Sequence, residues 1–156
     1  MQGKGYMTMI PNEKLTPATS QDYPRIVEVW EASVRATHHF VTEADIVFFR
    51  PLVRDGLPEV DYLVCARDAD SQVVGFLGVN DAKVDMLFIH PAWRGMGIGR
   101  RLLQYAVEAL NATELDVNEQ NEQAVGFYQR MGFVVVDRSE LDGTGKPYPL
   151  LHMRLA

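Results

Sequence analysis

The stretch Arg94-Gly95-Met96-Gly97-Ile98-Gly99-Arg100-Arg101 constrains this chain more than any other. It follows Val84 to His90, an apolar run that reads as a β-strand stopped by Pro91. After it, from about Gly97 to Leu110, the apolar residues Leu102, Leu103, Ala106, Val107 and Leu110 recur at helical spacing. A strand that passes through a glycine turn into a helix leaves the N–H groups of the first helical turn without partners, and the macrodipole favours negative charge there. Each such contact stabilises an anion by roughly 0.3 to 1 kcal/mol when exposed. Glycine supplies backbone conformations and close approaches that a Cβ forbids. With Arg94, Arg100 and Arg101 adding positive charge, the turn suits a pyrophosphate.

Two common phosphate motifs fit less well. A Walker loop needs Gly-Lys followed by Ser or Thr, which this turn lacks. A dinucleotide fingerprint counted from Gly95 places Arg100 where its third glycine belongs, although Glu114 and Asp116 follow where a ribose-binding carboxylate would stand.

A chain of 156 residues, 47% hydrophobic, makes one domain with one substantial core. Residues 1–12 read as a flexible lead, and 13–156 as the folded unit. The net charge of −6 argues against a surface built for nucleic acid or anionic membrane, so neither is expected as a partner. The single cysteine, Cys65, cannot form an intrachain disulfide and reads as a small core residue; a cytoplasmic location is expected. The four histidines and Cys65 show no metal-ligand spacing, so no metal is expected.

Along the chain, a strand is predicted from Lys14 to Thr19, then a helix capped by Ser20 with Ile26, Val29, Trp30 and Val34 on its buried face. A second helix spans about Glu43 to Asp55, capped by Thr42 and kinked or shortened by Pro51. Tyr62 to Arg67 and Val73 to Asn80 form a hairpin across Asp68-Ala69-Asp70-Ser71-Gln72. After the glycine turn and its helix come a strand at Glu114 to Asn118, a helix at Asn121 to Met131 ended by Gly132, and strands at Phe133 to Asp137 and Leu150 to Leu155. The order is mixed α/β rather than strict βαβ alternation.

At the glycine turn the sequence resembles the GNAT superfamily of N-acetyltransferases, whose acetyl-CoA motif is Q/R-x-x-G-x-G/A; Arg94, Gly97 and Gly99 hold its fixed positions. A second motif follows in the expected order: Asn121, Ala124, Phe127, Tyr128, Gly132 and Phe133 match N-x-x-A-x-x-(apolar)-Y-x-x-x-G-F. With Leu15 to Thr19 and Val74-Gly75-Phe76, the likeness extends from Lys14 to Leu155, and the blocks Asn118 to Tyr128 and Gly145 to Leu151 resemble a subgroup of small bacterial members.

The resemblance implies a mixed, mostly antiparallel sheet splayed between its fourth and fifth strands and flanked by about four helices. It implies acetyl-CoA as cosubstrate, its pantetheine arm along Leu87, Phe88 and Ile89, its pyrophosphate on amides of Gly95, Met96, Gly97, Ile98, Gly99 and Arg100 beside Arg94, and Asn121 bonded to the arm. It also implies direct transfer to a primary amine, of a small molecule or a peptide, with Tyr128 protonating the departing thiolate. Asp85 is the first candidate base, with Asp116 and Glu119 as alternatives that act directly or through water; His38, His39, Asp116, Glu119 and Tyr148 are candidate acceptor-site residues, each also open to an ordinary solvated or packing role. His90 and His152 read as structural. A monomer or homodimer is expected. The rival from another class is a sensor domain that binds acyl-CoA without catalysis; Tyr128 argues against it, since binding alone needs no phenol.

Overall fold

The computed structural model describes residues 15–156; Lys14 and the lead at 1–12 lie outside the described residues. The strands are β1 (Leu15–Pro17), β2 (Tyr62–Arg67), β3 (Val73–Asn80), β4 (Lys83–Ile89), β5 (Glu114–Asn118), β6 (Phe133–Ser139) and β7 (Leu150–Leu155). The helices are α1 (Tyr23–Thr37), α2 (Glu43–Gly56), α3 (Ile98–Leu110) and α4 (Glu122–Arg130). They follow the order read from the sequence.

Two local details differ from expectation. The cap before α1 is not Ser20: Thr19 and Asp22 bracket a short 3-10 turn, with the Thr19 N–H donating to the Asp22 carboxylate at 2.8 Å. Asp22 also receives the guanidinium of Arg67 at 2.8 and 3.0 Å, which holds its carboxyl below the usual range and ties the helix entry to β2. Pro51 lies inside α2 without shortening it, and Thr42 caps that helix by accepting from the Asp45 N–H at 3.1 Å.

All seven strands form one sheet in the order β1-β2-β3-β4-β5-β7-β6. Neighbours are antiparallel except β4 and β5, which run parallel and pair only at Lys83 with Glu114 and Val84 with Leu115. One face packs against α3 and α4 through Leu102, Leu103, Ala106, Leu115, Phe133 and Met153, and the other against α1 and α2 through Ile26, Val29, Trp30, Ile46 and Phe76. β3 is buried along nearly its whole length because both layers use it. Burying each such leucine, isoleucine or phenylalanine contributes about 1.5 to 3 kcal/mol, so the two opposed layers supply most of the packing energy on the sheet.

Along β4 the register against β3 slips: Met86 faces Gly78 while Val84 faces Val79. Asp85 is the extra residue, a bulge in β4. The bulge sits where β4 parts from β5.

Candidate active site

Beyond the two paired positions β4 and β5 diverge, and a cleft of about 610 Å³ opens between them. Leu87, Phe88 and Ile89 line one wall, and Asp116, Val117 and Asn118 the other. A strand edge parted from its neighbour offers main-chain groups that an extended ligand can pair with as an added strand would.

At the wide end of the cleft stands the glycine turn. Gly95 and Gly97 have φ of +79° and +80°, the left-handed region that a side chain disfavours. A Cβ at either would meet nothing within 4 Å, so conformation rather than crowding requires glycine. Gly99 lies inside α3 with no such φ; a Cβ there would touch Ile89 and Phe127 at 3.8 Å, an ordinary contact. Gly97 caps α3 without a side-chain hydrogen bond, and the first helical bond is from the Arg101 N–H to the Gly97 carbonyl at 3.0 Å. The amides of Ile98, Gly99 and Arg100 therefore face the cleft end free of helical partners. Arg94 and Arg100 line the same end, and the Arg94 guanidinium is steadied by the Gln123 side chain. Met96 is 41% exposed and does not line the cleft.

Asn121 and Tyr128 come from α4. Asn121 lines the cleft and caps its own helix, accepting from the Ala124 N–H at 3.3 Å. Tyr128 is 9% exposed, its ring packed edge-on against Phe127 and Phe133 with centroids at 5.3 and 6.3 Å. Burial pushes its phenol above the ordinary range, so the proton stays on the oxygen at any physiological pH.

At the closed end lie two carboxylates. Asp85 is raised by burial, with Lys83 pulling the other way and Asp116 and Asp61 adding to the rise. Burial alone would raise Asp116 as well, but hydrogen bonds from Lys83 and His152 leave it below the ordinary range. The Lys83 ammonium lies 2.6 Å from Asp116 Oδ2, and His152 Nδ1 lies 2.6 Å from Oδ1.

His38 lines the cleft on the α1 side, where burial pushes it down to about 4 against an opposing hydrogen bond to Asn118. Thr37 Oγ1 donates to the Ser33 carbonyl at 2.8 Å and lies 2.7 Å from His38 Nδ1. A second pocket of about 240 Å³ adjoins the cleft, sharing His38, Phe88 and Asn118 and adding Trp30, Phe49 and Tyr148. The Tyr148 hydroxyl donates to Asp45, whose other oxygen holds Lys146 at 3.0 Å.

Two candidates stand away from these cavities. His39 is exposed and bonds the Ala36 carbonyl at 2.7 Å; Glu119 is taken by Arg138 at 2.8 and 2.9 Å. Cys65 is fully buried with its thiol pushed up to about 12, which suits a core residue and not a nucleophile. The sequence reading did not single out Asn118, Trp93 or Thr37 for the cleft. Alternation along β5 was the available signal for Asn118, since it shares a face with Asp116.

The profile of the acetyltransferase (GNAT) domain matches residues 51–155. The peptidyl-lysine N-acetyltransferase YjaB of Salmonella typhimurium is 45% identical over 129 residues, which cover 83% of this chain and 88% of that protein. The solution structure of apo YjaB from Escherichia coli superposes with a TM-score of 0.84 at 41% identity, covering 91% of this chain and 96% of that one. The PaiA N-acetyltransferase of Thermoplasma acidophilum, solved with coenzyme A, shares the fold at a TM-score of 0.68 and 21% identity, covering 91% and 98%. The chain belongs to the GNAT family of acetyltransferases. The expected splayed sheet is the sheet observed.

Proposed function

We propose that the protein moves an acetyl group from acetyl-CoA directly to the ε-amine of a lysine in a peptide or protein. The observation that carries the reading is the cleft itself: free helix amides and two arginines at one end, two carboxylates at the other, and a buried phenol on its wall. The relatives named peptidyl-lysine N-acetyltransferases supply the acceptor class.

The residues divide the work by position. Amides of Ile98, Gly99 and Arg100, with Arg94 and Arg100, hold the pyrophosphate, and main chain from Leu87 to Ile89 pairs with the extended arm. An ammonium entering the closed end is drawn by Asp85 and Asp116. Asp85, an exposed strand residue whose carboxyl is raised by partial desolvation, removes a proton to expose the nitrogen lone pair. The amine attacks the thioester carbonyl, whose oxygen gains charge that a β4 N–H near Leu87 stabilises. As the carbon–sulfur bond breaks, Tyr128 gives its proton to the thiolate and regains one from the former amine nitrogen through solvent, leaving an amide, a free thiol and an intact phenol. Cys65, buried within the core, plays no part.

A panel of acceptors tests the acceptor class: lysine peptides, peptide N-termini, polyamines and aminoglycosides, each with acetyl-CoA, read by thiol release and product mass. Acetyl-lysine is the expected product. Transfer to a polyamine or an α-amine with none to lysine peptides refutes the lysine reading.

A further inference from the structure

Asp116 belongs to a hydrogen-bonded chain that crosses four strands. Ser139 Oγ on β6 lies 2.6 Å from His152 Nε2 on β7, and His152 Nδ1 lies 2.6 Å from Asp116 Oδ1 on β5. Asp116 Oδ2 lies 2.6 Å from the ammonium of Lys83, the first residue of β4. The sheet register makes the chain possible: Asp116 pairs directly with His152, and Ser139, paired with Leu150 on β7, reaches His152 diagonally from β6.

The two oxygens are held in different ways. On Oδ1 the partner is an imidazole fixed at both nitrogens and anchored in the sheet. On Oδ2 it is a primary ammonium on a flexible four-carbon stem, 39% exposed, and ion pairs this open are weak and readily exchanged. Asp116 lines the cleft and Lys83 does not. The group seated on Oδ2 is therefore the same chemical group that a lysine acceptor brings to the closed end of the cleft.

We infer that Asp116, oriented by His152 and Ser139, is the docking carboxylate for the acceptor ammonium, and that Lys83 holds this position until a substrate lysine displaces it. The inference rests on the lysine-acceptor reading. Lys83 then acts as a tethered competitor of the substrate, and His152 is a positioning residue that acts through Asp116.

The test is acetyl transfer to a lysine peptide, with KM for the peptide and for acetyl-CoA measured separately and melting temperatures confirming that each variant folds. Lys83→Met lowers the peptide KM about two- to five-fold, the range that losing an exposed competing ion pair supports. Lys83→Arg, which keeps a cation on Asp116, leaves it near the wild-type value. Asp116→Asn raises the peptide KM about tenfold, and on that background Lys83→Met brings no further gain. His152→Gln raises the peptide KM without altering that for acetyl-CoA, a split that a general loss of packing would not produce. If Lys83→Met leaves the peptide KM unchanged or raises it, or if its gain persists beside Asp116→Asn, Lys83 does not compete at Asp116 and the inference is overturned alone. A wild-type protein that acetylates no lysine peptide overturns the acceptor reading and this inference with it.

Discussion

Tyr128→Phe separates an enzyme from a binding module most cleanly. The ring of Tyr128 is wedged against Phe127 and Phe133, and phenylalanine keeps those contacts. The lost atom is the hydroxyl on a residue that lines the cleft, so no core cavity forms and the melting temperature should hold. Because burial raises the phenol, wild-type Tyr128 is fully protonated throughout the neutral range and available as an acid. Losing one positioned acid costs about 100-fold in rate or more, equivalent to roughly 2.7 kcal/mol of transition-state stabilisation. The assay is thiol release from acetyl-CoA with a saturating lysine peptide, paired with calorimetric titration of acetyl-CoA. The expected pattern is a large fall in kcat with the Kd of acetyl-CoA unchanged. A viscosity series establishes that chemistry, and not product release, limits the rate. Wild-type turnover under that condition refutes the acid role; an equal loss of binding and rate shows that the hydroxyl serves the cofactor site instead.

Gly97→Ala should cost about 1 to 2 kcal/mol, because φ of +80° places an alanine in the left-handed region, and should weaken the thermal shift given by acetyl-CoA; Gly99→Ala should fold with wild-type stability. Asp85→Asn should lower turnover most at low pH, where the amine holds its proton hardest, and an unchanged pH–rate profile removes Asp85 from the base role. The same substitution should stabilise the fold at neutral pH: the folded carboxyl is raised by burial, so its ionisation opposes folding above the unfolded value, and the gain disappears as pH falls through the carboxylate range. Asp22→Asn should do the reverse. Its folded carboxyl is lowered chiefly by the Arg67 hydrogen bond, so the loss seen by denaturation at pH 7 should fade as acid protonates the wild-type group.

The proposed cofactor half of the site is legible in the sequence because that half is local. Strand end, glycine turn and helix start are consecutive from His90 to Arg101, and Asn121 and Tyr128 lie on one short helix. The acceptor half depends on pairing across the sheet, which no local pattern records. His152 looks like a strand residue until the order β5-β7-β6 sets it opposite Asp116, and Lys83 looks like a turn lysine until β4 runs beside β5. The partner of Glu119 is hidden for the same reason, since nothing near it in the chain announces Arg138. Met96 sits inside the strongest motif, yet its side chain is exposed and lines no part of the cleft, because a motif specifies backbone conformation more tightly than side-chain direction.

The contact between β4 and β5 consists of two residue pairs, so the backbone bonding that joins one half of the sheet to the other is a short seam. A tear in cloth propagates from such a seam, and a stitch placed beyond its end stops it. An extended ligand pairing with the parted edge of β4 extends the stitching past Asp85 and couples the four strands before the seam to the three after it. Amide hydrogens of β4 and β5 should then exchange together in the free protein and slow together on binding, and the protein's resistance to local opening becomes a reading of how much acetyl-CoA surrounds it.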